Sequence, residues 1–308
     1  MTPVSRQPPG IVDFALLVGL ACLFGASFMF THLAVADIPP ITLATSRVVI
    51  ASLVLYPIML SARQRLPTFG KIWVPILASA VLGYALPFAL VGWGQIRVPS
   101  GLAAIFMAVM PLATIMLAHV FTHDEKLNRW KIAGVLSGLL GVVVLFGFDA
   151  LANIGGPDAI AQLAILAAAV CYALNALITR ALVDIPKLSM LCALMISGSI
   201  LILPVSLFFE APLSIDPSWQ AIASVAMLAI GPTATATLMI LVIINRQGAS
   251  FLSQINFMVP LFGVMFGVVL LDERLSANAW IALVFVLAGV ALSRLGNRAS
   301  THAPIRNS

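Results

Sequence analysis

The chain has 308 residues, 61% of them hydrophobic and only 9% charged, with a net charge of +5. Soluble domains carry about 25% charged residues, and sixteen basic and eleven acidic side chains are too few to cover a water-soluble fold of this length. The composition therefore excludes a soluble enzyme or nucleic-acid-binding domain and reads as an integral membrane protein.

A spanning helix needs about 20 mainly apolar residues. Ten segments meet that need: 11–35, 41–60, 72–95, 98–121, 130–148, 159–182, 188–209, 219–244, 248–271 and 279–294. They are too long for strands and do not alternate in polarity. The expected fold is thus an all-α integral membrane protein. The first segment is too long for the apolar core of a signal peptide and is expected to be retained. Asp37-Ile38-Pro39-Pro40, Val98-Pro99-Ser100-Gly101, Gly155-Gly156-Pro157-Asp158 and the stretch from Pro212 to Pro217 punctuate the runs as turns. The tail over 296–308 is polar and is expected to be disordered. Cys22, Cys171 and Cys192 are odd in number, lack CxxC spacing and sit inside apolar segments, where they read as small apolar residues.

With the N-terminus inside, the inner segments hold 13 of the 16 Lys and Arg residues. The outer loops hold Arg97 and Arg274, and Arg47 lies within a span. Both termini are expected to be cytoplasmic.

The two halves match. Met110 to Leu127 reads MPLATIMLAHVFTHDEKL, and Val259 to Leu275 reads VPLFGVMFGVVLLDERL. Asp37-Ile38-Pro39 matches Asp184-Ile185-Pro186, Pro57 matches Pro204, Pro87 roughly matches Pro232, and Pro111 matches Pro260. The domains read as 1–148 for segments one to five and 149–295 for segments six to ten. Five is odd, so the second unit enters the membrane from the opposite side and the repeats are inverted. Inverted repeats typify transporters that alternate access to a central site. The prolines Pro57, Pro87, Pro111, Pro204, Pro232 and Pro260 remove backbone hydrogen bonds and are expected to act as kinks or hinges around a cavity. Gly134, Gly138, Gly141 and Gly289 mark the fifth and tenth segments as close-packing, peripheral helices.

Arg47 is the one formal charge well inside a span, and its counterpart in the second half is Leu194. Such a charge is a candidate for function. It reads equally as a structural anchor, snorkelling or paired with Asp37, or as a contact for a substrate carboxylate. His32 and His119 lie near segment ends, and no acid lies deep in any span, so carboxylate-driven ion coupling has no seat and uniport or exchange fits better. The other candidates form stripes at helical spacing: Tyr84, Phe88 and Gln95 in the third segment, Tyr172, Asn175 and Thr179 in the sixth, Thr233 and Thr237 in the eighth, and Ser253 and Asn256 in the ninth. Each taken alone reads as an interhelical hydrogen bond; together they suggest a shared cavity lined by Tyr and Phe faces, amides, hydroxyls, Met107 and Met110. No HExxH, GxSxG, Walker A or His/Cys cluster appears, so no catalytic residue, metal or cofactor is expected and the chain reads as a non-enzyme.

Ten segments as five plus five, Pro111 and Pro260 ahead of acidic turns, and glycine-bearing segments after those turns resemble the drug/metabolite transporter superfamily. The likeness is closest to its EamA family and, within that, to the YddG-type amino-acid exporters. Arg47 also matches a feature common in the family. The resemblance implies an inner-membrane exporter of amino acids and related metabolites, with a drug, sugar or vitamin permease as the alternative within transport and a membrane sensor or scaffold outside it. The partners it implies are a small-molecule substrate and the lipid bilayer, with no nucleic acid. The protein is expected to be a monomer, with a dimer through the glycine-bearing helices as the alternative.

Overall fold

A computed structural model describes residues 8–122, 127–152 and 156–301. Asp124, Glu125 and Lys126 of the first acidic turn lie outside the described residues, as do Arg6 and Arg306. Ten helices are long and apolar enough to span a bilayer: α1 (Ile11–Ala34), α2 (Pro40–Ser61), α3 (Trp73–Gln95), α4 (Ser100–Phe121), α5 (Arg129–Ala152), α6 (Pro157–Leu182), α7 (Lys187–Phe209), α8 (Trp219–Gln247), α9 (Ala249–Leu270) and α10 (Ala277–Thr301). Leu53, Val74, Phe208 and Val284 stand exposed on the outside of the bundle, as expected where lipid replaces water as solvent. The last helix continues to Thr301, so the tail expected to be disordered from Gly296 is helical up to there. No proline interrupts it before Pro304, and propagating a formed helix is easy.

The helix starts follow from sequence. Pro39-Pro40, Pro99, Pro157 and Pro186 set the first turns of α2, α4, α6 and α7, where a missing N–H is harmless. Asn128 Oδ1 accepts from Lys131 N at the start of α5 (2.9 Å), and Ser218 Oγ accepts from Ala221 N at the start of α8 (3.2 Å). Other starts are capped across the duplication. Glu210, after α7, accepts from Ile41 N (3.1 Å) and Thr42 N (2.6 Å) of α2. In the matching place after α2, Gln64 accepts from Ser189 N of α7 (3.2 Å). Two repeat-related ion pairs sit at opposite ends of the bundle: Arg246 Nε to Asp13 Oδ1 (2.6 Å) and Arg97 Nη1 to Asp158 Oδ1 (3.2 Å).

The packing exchanges partners between the halves. α1 lies against α8 and α9, and α6 lies against α3 and α4 in the mirrored arrangement, while α2 pairs with α7. α5 and α10 pack on each other at the periphery. Their closest approach is at Gly134 and Gly289, where a Cβ on either would come within 2.5 Å of the other's carbonyl oxygen. Small residues permit that backbone contact.

The helices that matter for the site are irregular. α3 contains a π-helical segment, Val81–Ala85, directly before Pro87, and α8 contains another, Ala229–Thr235, around Pro232. Gly83 and Gly231 occupy the same place in both, so Pro232 aligns with Tyr84 rather than with Pro87. π-helical turns of this kind gather at functional sites. α4 breaks at Ala108-Val109 and restarts at Met110-Pro111, because Pro111 has no N–H to continue the ladder. α9 breaks earlier, at Ser253-Gln254, and then runs unbroken through Pro260. Pro57 and Pro204 do not break α2 or α7. They sit near the ends of these helices, exposed on the outer surface.

Candidate functional site

α1, α2, α3, α4, α6, α8 and α9 enclose a central cavity of about 390 Å³, within the range of small-molecule sites. Both repeats contribute. The stretch from Gly83 to Val91 on α3 and that from Pro232 to Ile240 on α8 are repeat-related, and both line it. Gly83, Tyr84, Pro232 and Thr233 place part of each π segment on the cavity wall, where irregular backbone is tolerated at membrane depth.

Eight of the eleven candidate residues meet at this cavity: Arg47, Tyr84, Phe88, Tyr172, Asn175, Thr233, Thr237 and Asn256. Pro111, Pro232 and Pro260 line it as well. Gln95, Thr179 and Ser253 are elsewhere. Gln95 is fully buried behind the wall, and its Nε2 donates to Phe28 O (3.0 Å). Thr179 bonds back to Asn175 O (3.0 Å) as α6 tightens into its last turn. Ser253 sits at the α9 break and accepts from Arg294. Pro87 is buried beside the π segment, and with Pro57 and Pro204 it is absent from the lining.

Arg47 is buried and turned inward. Its Nε donates to Thr233 Oγ1 (2.6 Å), and its Cζ stands 3.7 Å from the centroid of the Phe88 ring, over the ring face. Thr233 Oγ1 in turn donates to Leu228 O (2.8 Å), a carbonyl at the head of the π segment. Pairing with Asp37 does not occur: Asp37 Oδ2 accepts from Ser218 N at the start of α8 (3.1 Å). Those hydrogen bonds from Ser218 hold the Asp37 carboxyl below its ordinary value of 3.8. Tyr84 meets Phe88 edge to face, 6.0 Å between centroids. Asn175 lies against Gly83, where a Cβ would come within 2.5 Å of Asn175 Nδ2. Its Oδ1 is buried without a hydrogen-bond partner.

The sequence stripes missed one wall. Phe24, Ser27, Phe28 and Thr31 line the cavity from α1. They fall at i, i+3, i+4 and i+7, a helical face as regular as the stripes that were read.

The cavity closes unequally at its two ends. The first piece of α4 packs on α9, with Ser100 and Ala104 essentially inaccessible. Glu273 clamps this end, accepting from Ser100 N (2.6 Å) and Gly101 N (2.8 Å). The fit is tight, since a Cβ on Gly263 would lie 2.4 Å from Ala104 Cβ. At the opposite end, the repeat-related start of α9 leaves Ala249 and Ser250 exposed. The two inverted units thus hold α4 and α9 in different conformations.

A family model described as the EamA-like transporter family matches residues 13–147 and 159–295. An uncharacterized transporter of Bacillus subtilis, YoaV, is 23% identical over 90% of this chain and 94% of that protein. An uncharacterized inner membrane transporter of Escherichia coli, YedA, is 24% identical over 92% and 90%. A probable amino-acid metabolite efflux pump of Escherichia coli is 25% identical over 93% and 96%. One crystal structure superposes with a TM-score of 0.65 at 22% identity, covering 93% of this chain and 98% of that one, which supports the same fold. That family model matches both halves of the ten-span chain: the chain belongs to the EamA-like transporter family and is a multi-pass protein of the bacterial inner membrane.

Proposed function

We propose that the protein exports amino acids and related small metabolites, binding them in the central cavity and exposing that cavity to each side of the membrane in turn. The observation that carries this reading is the cavity itself, built by equivalent stretches of α3 and α8 from the two inverted units. The different conformations of α4 and α9 support alternating access, because exchanging them between the units would close one end and open the other. The efflux direction and the amino-acid-related class draw support from the Escherichia coli relative. The loop distribution of Lys and Arg supports cytoplasmic termini. The duplication supports domains over 1–148 and 149–295.

Arg47, Tyr84, Phe88, Tyr172, Asn175, Thr237 and Asn256 are the proposed substrate contacts. With no acidic side chain in the lining among the described residues, transport is proposed to be uniport-like. The test is efflux from proteoliposomes loaded with labelled amino acids. Accelerated efflux that falls in Asn175→Ala and Asn256→Ala is expected. A sensor or scaffold would give no efflux above protein-free liposomes and would tolerate both changes.

A further inference from the structure

Resting on the reading of the cavity as a transport site, we infer that it prefers organic monocarboxylates, net anions with an apolar body and a hydrogen-bond donor near the carboxylate, over the zwitterionic amino acids of the same skeleton. Among the described residues, Arg47 is the one charged residue in the lining. Its guanidinium stays ionised in any protein setting, and no carboxylate pairs with it among the described residues. The nearby acids are committed elsewhere: Asp37 to Ser218 N, and Glu210 to the amides of Ile41 and Thr42.

The cavity therefore holds one buried positive charge with no counter-charge among the described residues, which is costly. A monoanion brings the site to neutrality. A zwitterion leaves it at the same net charge and sets an ammonium close to Arg47, with no acid to receive it. A cation doubles the charge.

The geometry agrees with the charge count. Thr233 takes the Nε proton and Phe88 covers one face of the guanidinium. The Nη donors keep no protein acceptor among the described residues, and a carboxylate can bind them with both oxygens. Asn175 Oδ1, buried without a donor on the same cavity, suits a hydroxyl or an amide N–H of the bound acid. Phe24, Phe28, Met107 and Val259 receive the apolar body. A 2-hydroxy acid or an N-acyl amino acid meets all of these demands.

The test uses the full chain in liposomes and four probes on one skeleton: phenyllactate, N-acetylphenylalanine, phenylalanine and phenylalaninamide. The two monoanions are expected to be carried with a KM about tenfold lower than phenylalanine, whose ammonium is repelled by Arg47 and finds no acid to receive it, and phenylalaninamide is expected not to be carried. An imposed potassium diffusion potential is expected to speed the monoanions and leave phenylalanine unchanged. Arg47→Gln should level the preference, and Arg47→Lys should retain part of it. Phenylalanine carried as well as the monoanions, or phenylalaninamide carried at all, would overturn the inference while leaving transport intact. Carriage of none of the four above protein-free liposomes would overturn the transport reading and this inference with it. The wild-type comparison stands even if neither Arg47 variant folds.

Discussion

At the residue scale, the site depends on two small features. Gly83 has no Cβ because the Asn175 carboxamide occupies that space. The clash in Gly83→Ala is with the end of a side chain, so the fold should yield cheaply while Asn175 is displaced. The expected result is a melting temperature within a few degrees of the parent and a KM raised about tenfold, the cost of one lost polar contact. Transport kinetics together with thermal melting of the purified variant check it. Asp37 is the other feature. Its carboxyl is held below 3.8 by hydrogen bonds from Ser218, so the cap it gives α8 is complete above that value and is lost as the pH falls through the lowered one. Melting temperature should therefore be insensitive to this group from pH 7 to 5 and drop at lower pH. Asp37→Asn should lower it at pH 7 and narrow the gap from the parent in acid.

At the element scale, much of the architecture was legible in the sequence. Apolar runs of about 20 residues have one solution in lipid, and the matches of Asp37 with Asp184 and Pro111 with Pro260 exposed the duplication. The stripe rule found Tyr172 and Asn175 but also drew in Thr179, since periodicity gives a face and not the depth at which that face meets the cavity. Gln95 and Ser253 failed for the same reason: each is absent from the lining and is taken up by a partner on another helix. The π segments were not legible, because they depend on how α3 and α8 pack around Gly83 and Gly231. α9 yields at Ser253-Gln254 rather than at Pro260, which lies inside the helical piece Ile255–Leu270, because a proline marks where a ladder bond is lost and not where the chain bends. One element carries a further prediction. The α4–α9 contact at Ala104 and Gly263 leaves no room for a side chain. Gly263→Leu should insert and fold yet be unable to close that end, with transport reduced at least about tenfold, since a side chain forced into a packed contact costs 1–3 kcal/mol. Normal transport in a well-folded Gly263→Leu would show that this contact need not form.

At the scale of the whole molecule, one half carries the charge and both halves carry the machinery. Arg47 has Leu194 as its mate, so the cavity is asymmetric in chemistry while its frame is symmetric. The frame is displaced from symmetry too, with α4 sealed at its start by Glu273 and α9 open at its start. If the units exchange these conformations, the positions equivalent in the two repeats must trade accessibility. The direct measurement is labelling by a membrane-impermeant maleimide of Ser100→Cys and Ala249→Cys, each in a background with Cys22, Cys171 and Cys192 replaced. The account predicts that, without substrate, Ala249→Cys reacts and Ser100→Cys is protected, and that a transported substrate shifts the two in opposite directions. Both positions reacting together, or neither responding to a substrate that is demonstrably carried, would contradict it.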